Sequence, residues 1–105
     1  MAPQIEPNKE DGEADYAKKT YDLYLYIAGS SPRSQQAVAN VRNLCENSLA
    51  GNYKLKVVDI FQQPQAAKED QIIAVPTLIK KSPKPVRLFI GDMSNKDDIL
   101  LGIGG

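Results

Sequence analysis

The feature that most constrains this chain is a change of hydrophobic period between residues 21 and 60. Tyr21, Leu23, Leu25 and Ile27 alternate with Asp22, Tyr24, Tyr26 and Ala28, the period of a strand with one strongly apolar face. Beyond Gly29-Ser30-Ser31-Pro32 the spacing changes. Ala37, Val38, Val41, Leu44, Cys45 and Leu49 recur at three and four, the stripe of an amphipathic helix. Ser31 or Ser34 can cap it, and Gly51 ends it. Tyr53-Lys54-Leu55-Lys56-Val57-Val58-Asp59-Ile60 then reads as a second strand. Strand, helix, strand is a βαβ unit, in which the strands are parallel and the crossover right-handed.

The second half is punctuated by proline and glycine. Residues 64–70 predict a short helix opened by Pro64. Residues 72–79 are apolar but interrupted by Pro76, which leaves Thr77-Leu78-Ile79 as a strand. Val86-Arg87-Leu88-Phe89-Ile90 is another strand, joined to it by a proline-rich connection of hairpin length. Ser94 is placed to cap a last helix through Leu101, with Asp97 and Asp98 in its first turn. The fold class expected is α/β, and the order of elements is that of a thioredoxin-like domain.

Residues 1–20 have a different composition. They hold Pro3, Pro7, Gly12, five acids (Glu6, Glu10, Asp11, Glu13, Asp15) and three lysines, with few apolar side chains. Such a stretch buries too little surface to offset its ordering entropy, so it predicts a flexible arm before a single domain at residues 21–105. A short partner-binding peptide is the other reading of the arm.

Composition excludes several chemistries. The chain has no histidine, so no His-assisted nucleophile or imidazole proton shuttle can be built from it. Its one cysteine, Cys45, permits neither an intrachain disulfide nor a zinc site of paired cysteines. Ser30-Ser31-Pro32-Arg33 stands at the strand–helix junction where a redox-active thioredoxin-like domain needs Cys-x-x-Cys. Cys45 lies on the apolar stripe and is expected to be a buried thiol. Thirteen basic and thirteen acidic residues cancel, which supplies no general field for nucleic acid or an anionic membrane. No apolar run approaches the roughly 18–20 residues that span a bilayer, and no signal peptide is evident. The expectations are a cytoplasmic protein with no cofactor, no metal and no catalysis of its own.

Several segments in succession resemble the KaiB family. They are Tyr21-Asp22-Leu23-Tyr24-Leu25-Tyr26-Ile27-Ala28-Gly29 with Ser31-Pro32-x-Ser34, then Tyr53-x-Leu55-Lys56-Val57-Val58-Asp59 and Pro64-Gln65-x-Ala67-x-Glu69-Asp70. The likeness is strongest in Ile73-Ala74-Val75-Pro76-Thr77-Leu78-Ile79-Lys80 and Pro85-Val86-Arg87-x-x-Ile90-Gly91-Asp92-x-Ser94. The resemblance implies a non-enzymatic clock component that binds the ATPase ring of KaiC, with KaiA or a SasA-like histidine kinase as further partners. It also implies fold switching between a tetrameric ground state and a thioredoxin-like monomer, in which the part after Asp59 rearranges. By the same resemblance, Lys54 and Lys56 lie on the second strand, which contacts KaiC in the family, Lys54 in place of a small residue. Lys80 and Arg87 match basic positions of the switching half, and Pro76 and Pro85 match its prolines.

Lys54 and Lys56 alternate with Leu55 and Val57, so their side chains share one face and can meet acidic groups on a partner. Two other roles stay open: a divergent KaiB homologue in stress adaptation, and a degenerate thioredoxin-like redox or chaperone protein that uses Cys45.

Overall fold

The computed structural model describes residues 20–104. The arm expected at residues 1–20 lies outside these but for Thr20. The described chain runs β1 (Tyr21–Ile27), α1 (Pro32–Ser48), β2 (Tyr53–Asp59), α2 (Pro64–Glu69), β3 (Thr77–Ser82), β4 (Arg87–Ile90) and α3 (Lys96–Gly104).

The strands form one sheet in the order β2-β1-β3-β4. β1 pairs in parallel with β2, Tyr21 opposite Tyr53 and Ile27 opposite Asp59. On its other side it pairs antiparallel with β3, which pairs antiparallel with β4. Since β1 is flanked on both sides, its two faces must both be covered. Leu23 and Leu25 point to one, where they pack with Ala37, Val41, Leu44 and Cys45 of α1, Leu78 of β3, and Ile99 and Ile103 of α3. Each Leu or Ile fully withdrawn from water there contributes about 1.5–3 kcal/mol. Tyr26, on the opposite face, packs with Val58 and Ile79 beneath Ala66 and Ala67 of α2.

Local chemistry sets the ends of α1. The Ser31 hydroxyl accepts the Ser34 N–H, and Pro32 occupies the first turn, where its missing N–H is no loss. The buried Ser34 hydroxyl in turn accepts the Ala28 N–H, which ties the helix start to the end of β1. After Ser48 the chain reverses through Gly51, whose φ of 78° suits glycine.

Several boundaries differ from the sequence reading. β3 extends to Ser82 rather than ending at Ile79, because β4 pairs with it as far as Lys80 and β1 as far as Ser82. The last helix begins at Lys96, not directly after Ser94. The Ser94 N–H is taken by Asp92 Oδ1, and the helix ladder starts from Asn95, whose carbonyl accepts the Ile99 N–H. That helix also runs on past Leu101, because Ile103 is buried against the sheet.

Candidate functional site

The order of strands makes β2 an edge strand, with its outer backbone groups unpaired within the described residues. Along β2 the alternation sends Leu55 toward the α1 layer and Lys54 and Lys56 to the opposite face, where both are exposed. Among the described residues neither lysine forms an ion pair. Lys56 stands opposite Tyr24 in the register, its Nζ 5.7 Å from the ring centroid. Lys81, on β3, approaches the same ring to 4.3 Å, so Tyr24 lies between two cations.

Beside this strip is a small polar network. The Tyr26 hydroxyl donates to Asp70 Oδ2, and Lys81 Nζ lies 2.8 Å from Asp70 Oδ2 and 3.0 Å from Oδ1. Tyr24 and Tyr26 stack with centroids 6.5 Å apart. Burial pushes the Tyr26 phenol well above its ordinary value, and the Asp70 carboxylate adds to the shift. For Asp70 burial raises the carboxyl, but hydrogen bonds from Lys81 and Tyr26 and the Lys81 charge outweigh it, so its pKa is lowered. Asp70 thus fixes both Lys81 and α2 to the sheet.

The four basic residues singled out in the sequence do not form one patch. Lys54 and Lys56 lie together on β2. Arg87 is exposed on β4, the opposite edge, three strand spacings or about 14 Å across the sheet. It shares the α3 side with its register neighbour Lys80. Lys80 is only 1% exposed and donates from Nζ to the Ile103 carbonyl at 3.1 Å, so in this fold it is not part of a partner-facing surface. The strand alternation sends Lys80 under α3 and its neighbour Lys81 to the open face. Sequence reasoning missed this because β3 is apolar on both faces, so parity carries no sign of which lysine turns inward. Pro76 is buried in a cis Val75–Pro76 bond at the start of β3, and Pro85, also cis, is exposed in the connection to β4.

Cys45 is fully buried, as its place on the stripe predicts, and desolvation pushes its thiol up to about 11. Such a thiol is a packing group rather than a nucleophile at neutral pH. Among the described residues no cluster of acids and Cys45 could hold a metal ion, and no helix is long and apolar enough to cross a membrane.

Comparison with solved structures shows the fold. The chain superposes on the N-terminal domain of SasA from Synechococcus elongatus with a TM-score of 0.69 at 20% identity, covering 94% of this chain and 90% of that one. Mitochondrial thioredoxin 3 from Saccharomyces cerevisiae gives 0.66 at 17% identity, over 83% and 79%. The fold is therefore thioredoxin-like. Among curated proteins, the circadian clock oscillator protein KaiB of Prochlorococcus marinus strain MIT 9312 is 49% identical over 87 residues, 83% of each chain. That of Synechococcus sp. strain RCC307 is 49% identical over 86 residues, 82% of this chain and 78% of the relative. The KaiB domain family matches residues 24–104, from the middle of β1 to the end of α3, and the chain belongs to the KaiB family.

Proposed function

We propose that this protein is a non-enzymatic interaction switch that docks on the ATPase ring of a KaiC-type partner and modulates its phosphorylation cycle in circadian timing. The observation that carries this reading is the family match across residues 24–104. The docking face is centred on Lys54 and Lys56, with the free backbone edge of β2 beside them. Lysines at a rim act mainly by steering an acidic partner and fixing its register. Arg87 is a second contact at the far edge, and Pro76 and Pro85 bound the segment that rearranges on switching. Lys80 enters partner binding only through that rearrangement, as its ammonium is inside the fold described here. KaiA and a SasA-like histidine kinase are the further partners; likeness to the SasA domain supports competition between two domains of one shape for one site. The resting form is a cytoplasmic homotetramer.

The deciding experiment is a pull-down with each KaiC homologue of the same genome, using the natural chain and Lys56→Glu. The charge reversal is expected to weaken association by roughly fivefold, the scale of about 1 kcal/mol for an exposed pair, and to make the remainder less salt-sensitive. Unaltered binding by the variant removes the proposed face. Absence of binding by the natural chain to every KaiC homologue overturns the KaiC reading in favour of a divergent role.

A further inference from the structure

On the sheet face opposite α1 and α3, the buried side chains are Tyr26, Val58 and Ile79. The segment between β2 and β3 covers them, with Ile60, Ala66, Ala67, Ile72 and Val75 packed against the cluster. That cover is thin. Ala66 and Ala67 of α2 are half-buried and its other residues exposed, and Gln63 before it supplies no side-chain cap. Two alanines bring little apolar area to the contact. The chain leaves α2 through Gln71, whose φ of 56° is a left-handed conformation that a side chain disfavours. A short helix with few apolar contacts is the kind of unit that opens ahead of the rest of a domain. Asp70, the C-cap residue of α2, works against this. Its carboxylate accepts the Tyr26 hydroxyl from β1 and lies 2.8 Å from Lys81 Nζ on β3, so one side chain ties the helix to two strands. The ends of the segment are fixed without it. Asp59 Oδ1 accepts the Phe61 N–H at one end, and the Pro76 carbonyl accepts the Gly91 N–H at the other.

We propose that α2 and the turn after it, residues 64–72, form a lid on this face, hinged between its fixed ends and latched by Asp70. Opened, the lid uncovers Tyr26, Val58 and Ile79. They then join the exposed Leu88, register neighbour of Ile79, in one apolar surface. Lys81 completes the latch from the sheet side, and because that pair is partly exposed, salt weakens it. All four strands stay paired, so the opening is distinct from a rearrangement of the part after Asp59. It does not rest on the docking reading.

The test compares two thiols in one full-length chain. Val58→Cys places a small apolar thiol beneath the lid, and Cys45 in the α1 core is the internal reference. Each rate of labelling by a disulfide reagent is taken relative to its rate in urea, and peptide mass spectrometry assigns the label. The introduced thiol is expected to react at least about tenfold faster than Cys45, because the lid opens without the core. Adding Asp70→Asn should speed it by about another tenfold. Adding Val41→Ala, which loosens the α1 core, should speed Cys45 and leave the introduced thiol unchanged. Equal protection of the two thiols, or their joint acceleration by Val41→Ala, means that the face opens only with the whole fold and overturns the lid. No effect of Asp70→Asn overturns the latch. Amide exchange repeats the comparison on the natural chain. The N–H groups of Asp70, Gln71 and Ile72, bonded to Ala66, Lys68 and Ala67, should exchange faster than those of α1 and respond little to low urea. Amides that join β1 to β3 should be protected as α1 is. Exchange there at the rate of the lid overturns the proposal in favour of a larger rearrangement.

Discussion

Asp70 is the residue on which the open face of the sheet is organised. It receives Tyr26 from β1 and Lys81 from β3, and it sits at the end of α2. Its lowered pKa means the native carboxyl gives up its proton more readily than the unfolded one. Its contribution to stability is therefore complete above the unfolded value of about 4 and disappears as pH falls through the folded value. Tyr26 works at the other end of the scale. Its raised pKa leaves its contribution complete below about pH 10 and lost as pH rises from there. Asp70→Asn should cost about 1–2 kcal/mol at pH 7 and flatten the acid limb of stability, read as urea midpoints between pH 3 and 7. An acid limb identical to that of the natural chain would show that Asp70 is not the group responsible. Cys45 provides a second residue-scale measurement. With its thiol pushed up to about 11, native labelling by a disulfide reagent at pH 8 should be slower than in urea by roughly a hundredfold from ionisation alone. Labelling as fast as in the unfolded chain would restore a redox role.

At the scale of elements, Lys80 joins β3 to α3. Its ammonium reaches the Ile103 carbonyl in the last turn, where a helix presents its negative end, and its stem lies buried among apolar neighbours. Lys80→Ala should destabilise the fold by about 2–3 kcal/mol in urea titrations, and Lys80→Met by less, because methionine keeps most of the stem. A loss below about 0.5 kcal/mol for the alanine variant would assign the lysine a surface role. This contact also marks where the sequence stops being informative. The βαβ unit is legible because β1 and α1 each repeat their own period, and Ser31, Pro32 and Gly51 mark the helix ends. Lys54 and Lys56 are legible for the same reason, by simple alternation with Leu55 and Val57. β3 is different. Flanked by β1 and β4, it is apolar on both faces, so its alternation holds no information about which of Lys80 and Lys81 turns inward. The pairing of Tyr26 with Asp70 joins residues far apart in the chain and is created only when α2 folds onto the sheet.

At the scale of the whole molecule, the two faces of the sheet are unequally covered, and the uncovered part is of two kinds. At the β2 edge it is basic. At the β4 edge it is apolar: Leu88 and Ile90 stand beside Ile79 and Thr77 in the register, on the α2 side, and are 55% and 60% exposed. β4 is also an edge strand, with a free row of backbone donors and acceptors. Apolar side chains on an unpaired edge favour self-association, and closed symmetry lets every copy cover its own edge in the same way. Self-association of this fold through β4 is therefore expected at high protein concentration, reversed on dilution as mass action requires. Leu88→Glu combined with Ile90→Glu should shift light-scattering mass toward the monomer. Because both side chains are already more than half in solvent, each change should cost the monomer no more than about 1 kcal/mol. The charge-bearing β2 edge is untouched by these substitutions, so a KaiC-type partner that docks there should bind the monomeric variant at least as well as the natural chain. A natural chain that stays monomeric at high concentration would contradict this self-association, and a variant that associates as the natural chain does would move the interface away from β4.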